Sequence, residues 1–214
     1  MGLELSERKR NIIFVNVLIG CIVSTMLSTA LTTILSSVMD SFNIDAAMGQ
    51  WLTSSYSLVM GIMMPLTAYL INTISTKKLY IVSIGLFIVG LIFCIFATKF
   101  EIMLLGRLIQ ACGAGILTAM TQVIALTIFP AEKRGTAMGW YGLSVGVAPV
   151  IAPTLAGIIS DSVGWRMFFV LVLIIAIISF IVSVFVFENV LETKNQKLDI
   201  ASFIYSICGF GGIT

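Results

Sequence analysis

Histidine is absent from all 214 residues, and charged side chains make up only 10% of them. Without an imidazole there is no His-based catalytic triad and no His-ligated metal. A soluble domain carries about 25% charged residues, so this chain is not built like one. The four cysteines (Cys21, Cys94, Cys112 and Cys208) fall inside apolar stretches at irregular spacing. They match no metal-ligand pattern and give no reason for disulfides, so they read as small core residues. Net charge is +2, with the basic residues spread through short segments. That leaves no basic face for nucleic acid. No enzyme, metal or cofactor is implied.

What remains is hydrocarbon. Hydrophobic residues fill 59% of the positions, and crossing ~30 Å of bilayer core takes roughly 20 of them in a row. Six stretches qualify, at about 12–39, 48–72, 79–98, 102–129, 136–160 and 167–187. A seventh starts near Leu198 and reaches Thr214 after 17 residues, so the chain reads as the front part of something longer. Arg8-Lys9-Arg10 before the first run resembles a signal peptide, but the run is too long and lacks a small-x-small cleavage site. It reads as a retained first helix.

Lysine and arginine alternate between the ends of these spans. The N-terminal tail (Arg8, Lys9, Arg10) and the segments holding Lys77, Lys78, Lys133, Arg134, Lys194 and Lys197 carry nine. The opposite segments carry two, Lys99 and Arg166. By the positive-inside rule the N-terminus is cytoplasmic in a multi-pass protein of the cell membrane. Trp51, Tyr56 and Trp165 are expected at the outer ends of their helices, as an aromatic belt.

An internal repeat is visible as well. Pro65 and the following Lys78 are matched, 88 residues on, by Pro153 and Arg166. Each pair is thirteen residues apart, and the two junctions lie on opposite sides by the loop count. Two inverted three-helix repeats are a common transporter design, although apolar helices also match by chance.

Arg107 is the single charge inside the six spans, and no Asp or Glu lies there. A guanidinium in hydrocarbon costs at least ~2.5–3.5 kcal/mol, so it usually has a task. Arg107, Gln110 and Gly113 follow i, i+3, i+6 spacing, which suggests a polar centre facing an internal cavity. The alternative is that Arg107, roughly 8 Å below the outer boundary, reaches up to the headgroups. On the fifth span Gly142, Gly146, Ala148, Pro149, Ala152, Pro153, Ala156 and Gly157 combine small residues with two prolines. These suit close packing and a bent gate helix, or packing alone. Hydroxyl pairs recur on the first span (Ser24-Thr25, Ser28-Thr29, Thr32-Thr33, Ser36-Ser37), either facing a hydrated cavity or bonding their own helix. Met60, Met63 and Met64 line a pocket or simply pack.

These residues resemble the major facilitator superfamily, and more closely its fourteen-helix drug:proton antiporter branch. Leu105-Gly-Arg107-Leu-Ile-Gln110-Ala-Cys-Gly113-Ala-Gly115 is similar to the family's fourth-helix motif. Ala148, Ala152-Pro153 and Ala156-Gly157 resemble its fifth-helix antiporter motif, with alanine at three usual glycines. Trp165-Arg166-x-Phe168-Phe169 matches the outer end of the sixth helix, and Leu198-Asp199 through Gly209-Phe210-Gly211 the start of an extra helix. Two departures stand out. Asn72 and Ser75 replace the usual Asp and Gly of the cytoplasmic loop that keeps Lys77 and Lys78, and no acid lies near Met26-Leu27-Ser28-Thr29 on the first helix.

The resemblance implies an all-α integral membrane chain: six transmembrane helices as two inverted repeats plus the start of a seventh. Residues 1–11 are then a cytoplasmic tail, 12–187 a six-helix bundle, 188–197 a cytoplasmic linker and 198–214 a truncated seventh helix. The implied protein exports small hydrophobic or cationic compounds against protons, and its partners are the bilayer and its own missing C-terminal helices. An uptake permease of the same fold and an inactive truncated fragment stay open.

Overall fold

A computed structural model describes residues 6–190, and these form six long α-helices. They are α1 (Glu7–Phe42), α2 (Ala46–Thr73), α3 (Thr76–Ile95), α4 (Phe100–Ile128), α5 (Ala131–Val163) and α6 (Arg166–Val186). All six are long and apolar enough to cross a membrane. The stretch expected at 198–214 lies outside the described residues, as do Lys194, Lys197 and Cys208.

The ends of the helices are set by local chemistry. Ser6 caps α1 by accepting from the Lys9 amide at 3.4 Å, and Asp45 caps α2 by accepting from Met48 at 2.8 Å. Asn43 takes the left-handed conformation (φ 51°) that closes α1. Between α5 and α6 the chain turns in two residues, and Gly164 sits at φ 92°, where a side chain would be strained.

The helices run further than the apolar pattern suggested. Residues 7–11, expected as a tail, are already the first turn and more of α1. Lys77 and Lys78 lie in the first turn of α3 and Asn72 in the last turn of α2, so the expected loop shrinks to Ile74 and Ser75. Helices extend past the hydrocarbon because backbone hydrogen bonding does not stop where side chains turn polar.

α1 and α4 are the most enclosed helices. α4 packs against α2 and α3, α1 packs against α5 and α6, and the two meet each other at the centre. Exchanging α1 with α4, α2 with α5 and α3 with α6 leaves this set of contacting pairs unchanged. With three helices per unit the second unit is necessarily inverted. The same exchange pairs α2, which contains Pro65, with α5, which contains Pro149 and Pro153.

Close approach runs through three glycines at the α3–α4 crossing. A Cβ on Gly90 would lie 2.6 Å from the Gln110 nitrogen, and one on Gly106 would lie 2.8 Å from the Phe93 Cβ. One on Gly113 would lie 2.5 Å from the Ser83 carbonyl oxygen. On α5 the expectation needs correcting, because Gly142 and Gly146 have nothing within 4 Å of a built Cβ. Buried Ala148, Ala152 and Ala156, four residues apart, form the packed face instead. α1 lies on this side, where Thr33 approaches Gly157 and Ser37 accepts from Ser160.

The aromatic belt also needs correcting. Trp51 is exposed, but Trp165 is buried, donating from Nε1 to the Ser41 hydroxyl at 2.8 Å and packing on Phe42 and Phe169. Tyr56 is buried in the helix bundle. An aromatic with one polar atom fits an interface or a satisfied core position equally well, and sequence position alone does not separate them.

Candidate functional site

Arg107 is fully buried, with 0% of its surface exposed. Its Nη1 donates to Gln110 Oε1 at 2.6 Å, one turn along α4. Its Nε donates to the Leu52 carbonyl of α2 at 3.4 Å. The guanidinium carbon lies 3.9 Å from the centre of the Tyr56 ring. Among the described residues no carboxylate pairs with it. The charge is therefore held by a carbonyl dipole, an amide oxygen and a π face, each weaker than an acid.

This geometry departs from both sequence expectations. Arg107 does not reach toward headgroups, and it does not face an open cavity, because α2 closes over it. Gln110 is equally buried, and its Nε2 has no hydrogen-bond partner. An unpaired amide donor costs about 1–3 kcal/mol and a desolvated charge several more, so this corner of the fold is expensive. Gly113 belongs to the α3 contact rather than to the polar pair. Met60 and Met63 face Gly115, where a Cβ would come within 2.7 Å of Met63, so these two methionines pack α2 on α4.

Tyr56 was not singled out as a partner of Arg107 by sequence reasoning. Its hydroxyl donates to the Ser24 carbonyl of α1 at 3.5 Å, so the ring ties α1 and α2 to the charge on α4. Tyr56→Leu is expected to lower stability by about 2 kcal/mol or more through the lost ring face. Tyr56→Phe, which keeps that face and loses only a long hydrogen bond, is expected to cost less than about 1 kcal/mol. Thermal unfolding of both variants in detergent checks the order; equal losses would mean that the π contact contributes nothing.

A second polar cluster lies in the other half of the bundle and was also missed. Asn16 Nδ2 donates to Ser183 Oγ at 2.7 Å, and Ser179 Oγ donates to Asn16 Oδ1 at 2.9 Å. The Tyr80 hydroxyl donates to the Asn16 carbonyl at 3.1 Å, and the Tyr80 ring stacks on Phe187. The cluster joins α1, α3 and α6. Its sequence signal was an amide inside the first apolar run and two serines four apart in α6.

The other expected site residues lie elsewhere. Ala148, Ala152 and Ala156 are buried on the α1 side of α5, with Pro149, Pro153 and Gly157 half-buried beside them. α5 stays helical through both prolines. Asn72 is exposed and donates to its own helix at the Ala68 carbonyl, 2.9 Å away. The Lys77 amide donates to Asn189 Oδ1 at 3.3 Å, while Lys78 is exposed. The Arg107 pair, the α5 face and the α2–α3 junction are thus three separate places. Four of the eight hydroxyls of the α1 stripe (Ser24, Thr25, Thr29 and Thr32) bond carbonyls of their own helix, while Thr32, Thr33 and Ser36 are exposed.

The bundle end carrying Lys9, Lys77 and Lys133 also carries Glu7 and Glu188, which pair with Lys133 and Lys9. At the opposite end Arg166 donates to the Ala97 carbonyl at 3.0 Å. Among the described residues, the larger basic group counted from the sequence (Arg8, Lys9, Arg10, Lys77, Lys78, Lys133 and Arg134) therefore lies at one end of the bundle, and Lys99 and Arg166 at the other.

The profile of the Major Facilitator Superfamily matches residues 17–210. An uncharacterized MFS-type transporter of Bacillus subtilis (strain 168), YcnB, is 40% identical over 212 residues, covering 99% of this chain and 45% of that protein. The lincomycin resistance protein LmrB of the same organism is 36% identical over 175 residues, covering 82% of this chain and 36% of its own length. The chain thus spans less than half the length of these relatives. Among solved structures, a peptide transporter named POT, crystallised with sulfate, superposes with a TM-score of 0.75 at 11% identity. That match covers 94% of this chain and 44% of the other.

Proposed function

From the premise that the chain belongs to the Major Facilitator Superfamily, we propose that it is the N-terminal half of a drug:proton antiporter. Membership makes it part of a multi-pass membrane transporter rather than an enzyme. The proposal goes further: a fourteen-helix exporter in the cell membrane, N-terminus cytoplasmic, moving hydrophobic or cationic compounds outward as protons move inward. Alternating access rocks this bundle against a second one, with substrate near the midplane between them. The similarity to a lincomycin resistance protein supports export over uptake.

The observation that carries this reading is the buried Arg107–Gln110 pair on α4, which no acid among the described residues meets. A fold selected for stability alone gains nothing from a desolvated charge and an orphaned amide. Arg107 and Gln110 are the proposed polar centre. Gly113 sets the α3 contact behind them. Ala148, Pro149, Ala152, Pro153, Ala156 and Gly157 form the conformational helix, and Asn72, Lys77 and Lys78 the junction at the inner end. The carboxylate that carries the proton is assigned to the second half in preference to a rim residue such as Asp40 or Glu101, because none lies inside these six spans.

The test uses the complete transporter in proteoliposomes with an imposed pH gradient and a cationic dye. Dye is expected to move against its gradient in the direction opposite to protons, and to stop when a protonophore collapses the gradient. Dye moving with the protons favours an uptake permease and overturns the antiport reading. Residues 1–214 alone are expected to be inactive, and coupled transport by that half would overturn the assignment of the proton carrier to the second half.

A further inference from the structure

Two apolar troughs flank the N-terminal half of α1, one against α5 and one against α6. The α1–α5 trough has a volume of ≈ 1010 Å³ and is walled by residues such as Leu18, Ile22, Trp140 and Val147. The α1–α6 trough has a volume of ≈ 620 Å³ and is walled by Ile12, Ile175, Ile178 and Val182. Asn11, Val15 and Ile19 line both, so one ridge of α1 separates them. From Asn11 to Ile19 that ridge is about 12 Å long at helical rise, close to the depth of one leaflet's hydrocarbon.

The mouths of both troughs are cationic and lie at the same end. Arg8 lines the α1–α6 trough and Lys133 the α1–α5 trough, with Asn11 between them. Arg8 is exposed and pairs with no carboxylate among the described residues. Lys133 meets Glu7 at 3.4 Å, but both side chains are largely exposed, so the pair is weak and open to competition. Lys9 and Arg10 are already engaged by Glu188 and Glu7.

We propose that one anionic diacyl phospholipid straddles α1 here, with one acyl chain in each trough and its phosphate between Arg8 and Lys133. Two troughs parted by a single ridge fit two chains leaving one headgroup. A protein helix about 10 Å across would need one undivided groove. The cations select a negative headgroup, each contributing the attraction that basic residues show for anionic lipid surfaces. Asn11, at the fork, hydrogen-bonds the ester or phosphate oxygens.

The experiment is native mass spectrometry of the complete transporter, purified in mild detergent and titrated with phosphatidylglycerol or phosphatidylcholine. Wild type is expected to retain one phosphatidylglycerol in preference to phosphatidylcholine. Arg8→Gln and Lys133→Gln are each expected to weaken that retention roughly fivefold. Glu7→Gln, which frees Lys133, is expected to strengthen it. Val15→Trp fills the shared ridge, which is 53% exposed and so tolerates bulk. It is expected to expel the lipid while leaving the unfolding temperature unchanged. Equal retention of both lipids in wild type, or of phosphatidylglycerol by the double charge variant, overturns the proposal. No retained lipid at all means that protein covers the troughs, and overturns it too.

Discussion

A transporter carrying Arg107→Met together with Gln110→Leu is expected to unfold at a higher temperature than wild type and to move no substrate. The guanidinium is wholly desolvated, rests on a carbonyl, an amide and a ring, and meets no acid among the described residues. Replacing a buried ionic group by apolar side chains of similar volume is commonly neutral or stabilising by about 1–4 kcal/mol. Both members are exchanged because Arg107→Met alone would leave the whole Gln110 amide unpaired, at about 1–3 kcal/mol. Thermal unfolding in detergent and gradient-driven efflux in proteoliposomes are read on the same preparation. Gained stability with retained transport would make Arg107 dispensable and remove the observation on which the proposed function stands. A lysine at 107 is not a substitute, since an ammonium lacks the planar fork that meets Gln110 while lying on Tyr56.

The second large effect is structural. Gly113→Val is expected to lower stability by roughly 3 kcal/mol or to prevent folding, at the upper end of what overpacking costs. Its Cβ would sit 2.5 Å from the Ser83 oxygen and 2.7 Å from the Phe87 nitrogen, both backbone atoms of α3. Backbone cannot move aside as a flexible side chain can, so α3 and α4 must separate along their length. Gly85→Ala is the control: nothing lies within 4 Å of its built Cβ. That change is expected to be neutral, or to stabilise by up to ~1 kcal/mol through helix propensity. If the two variants melted together, the α3–α4 crossing would not be the tight contact described above.

Much of the architecture was legible before any coordinates. Six apolar runs separated by short polar segments predicted six helices, and the alternation of basic residues predicted which ends lie together. Both signals are local: a residue's preference for hydrocarbon or water depends little on its tertiary neighbours. The repeat expected from the sequence is matched, helix by helix, in the exchange symmetry of the helix contacts. Helix ends were less legible, because Lys77, Lys78 and Asn72 are polar residues that nevertheless continue or begin helices.

The polar site was legible only in part. That Arg107 and Gln110 could meet followed from helical spacing, and they do hydrogen-bond at 2.6 Å. That Tyr56 lies beneath the charge did not follow, since it is 51 positions away in the chain and was expected at a membrane surface. The Asn16 cluster depends in the same way on α1, α3 and α6 converging.

Which small residues matter was decided by packing as well. Gly113 and Gly142 look alike on paper, yet one touches backbone and the other touches nothing. Composition therefore told how many helices among the described residues are long and apolar enough to cross hydrocarbon, because the preference of each residue for hydrocarbon or water is expressed position by position. The partners of Arg107, the meeting of Asn16 with Ser183 and the tight glycines came from how the helices are rotated against one another. That rotation is set by the summed contacts of many side chains across helices distant in the chain, and no single stretch of residues encodes it.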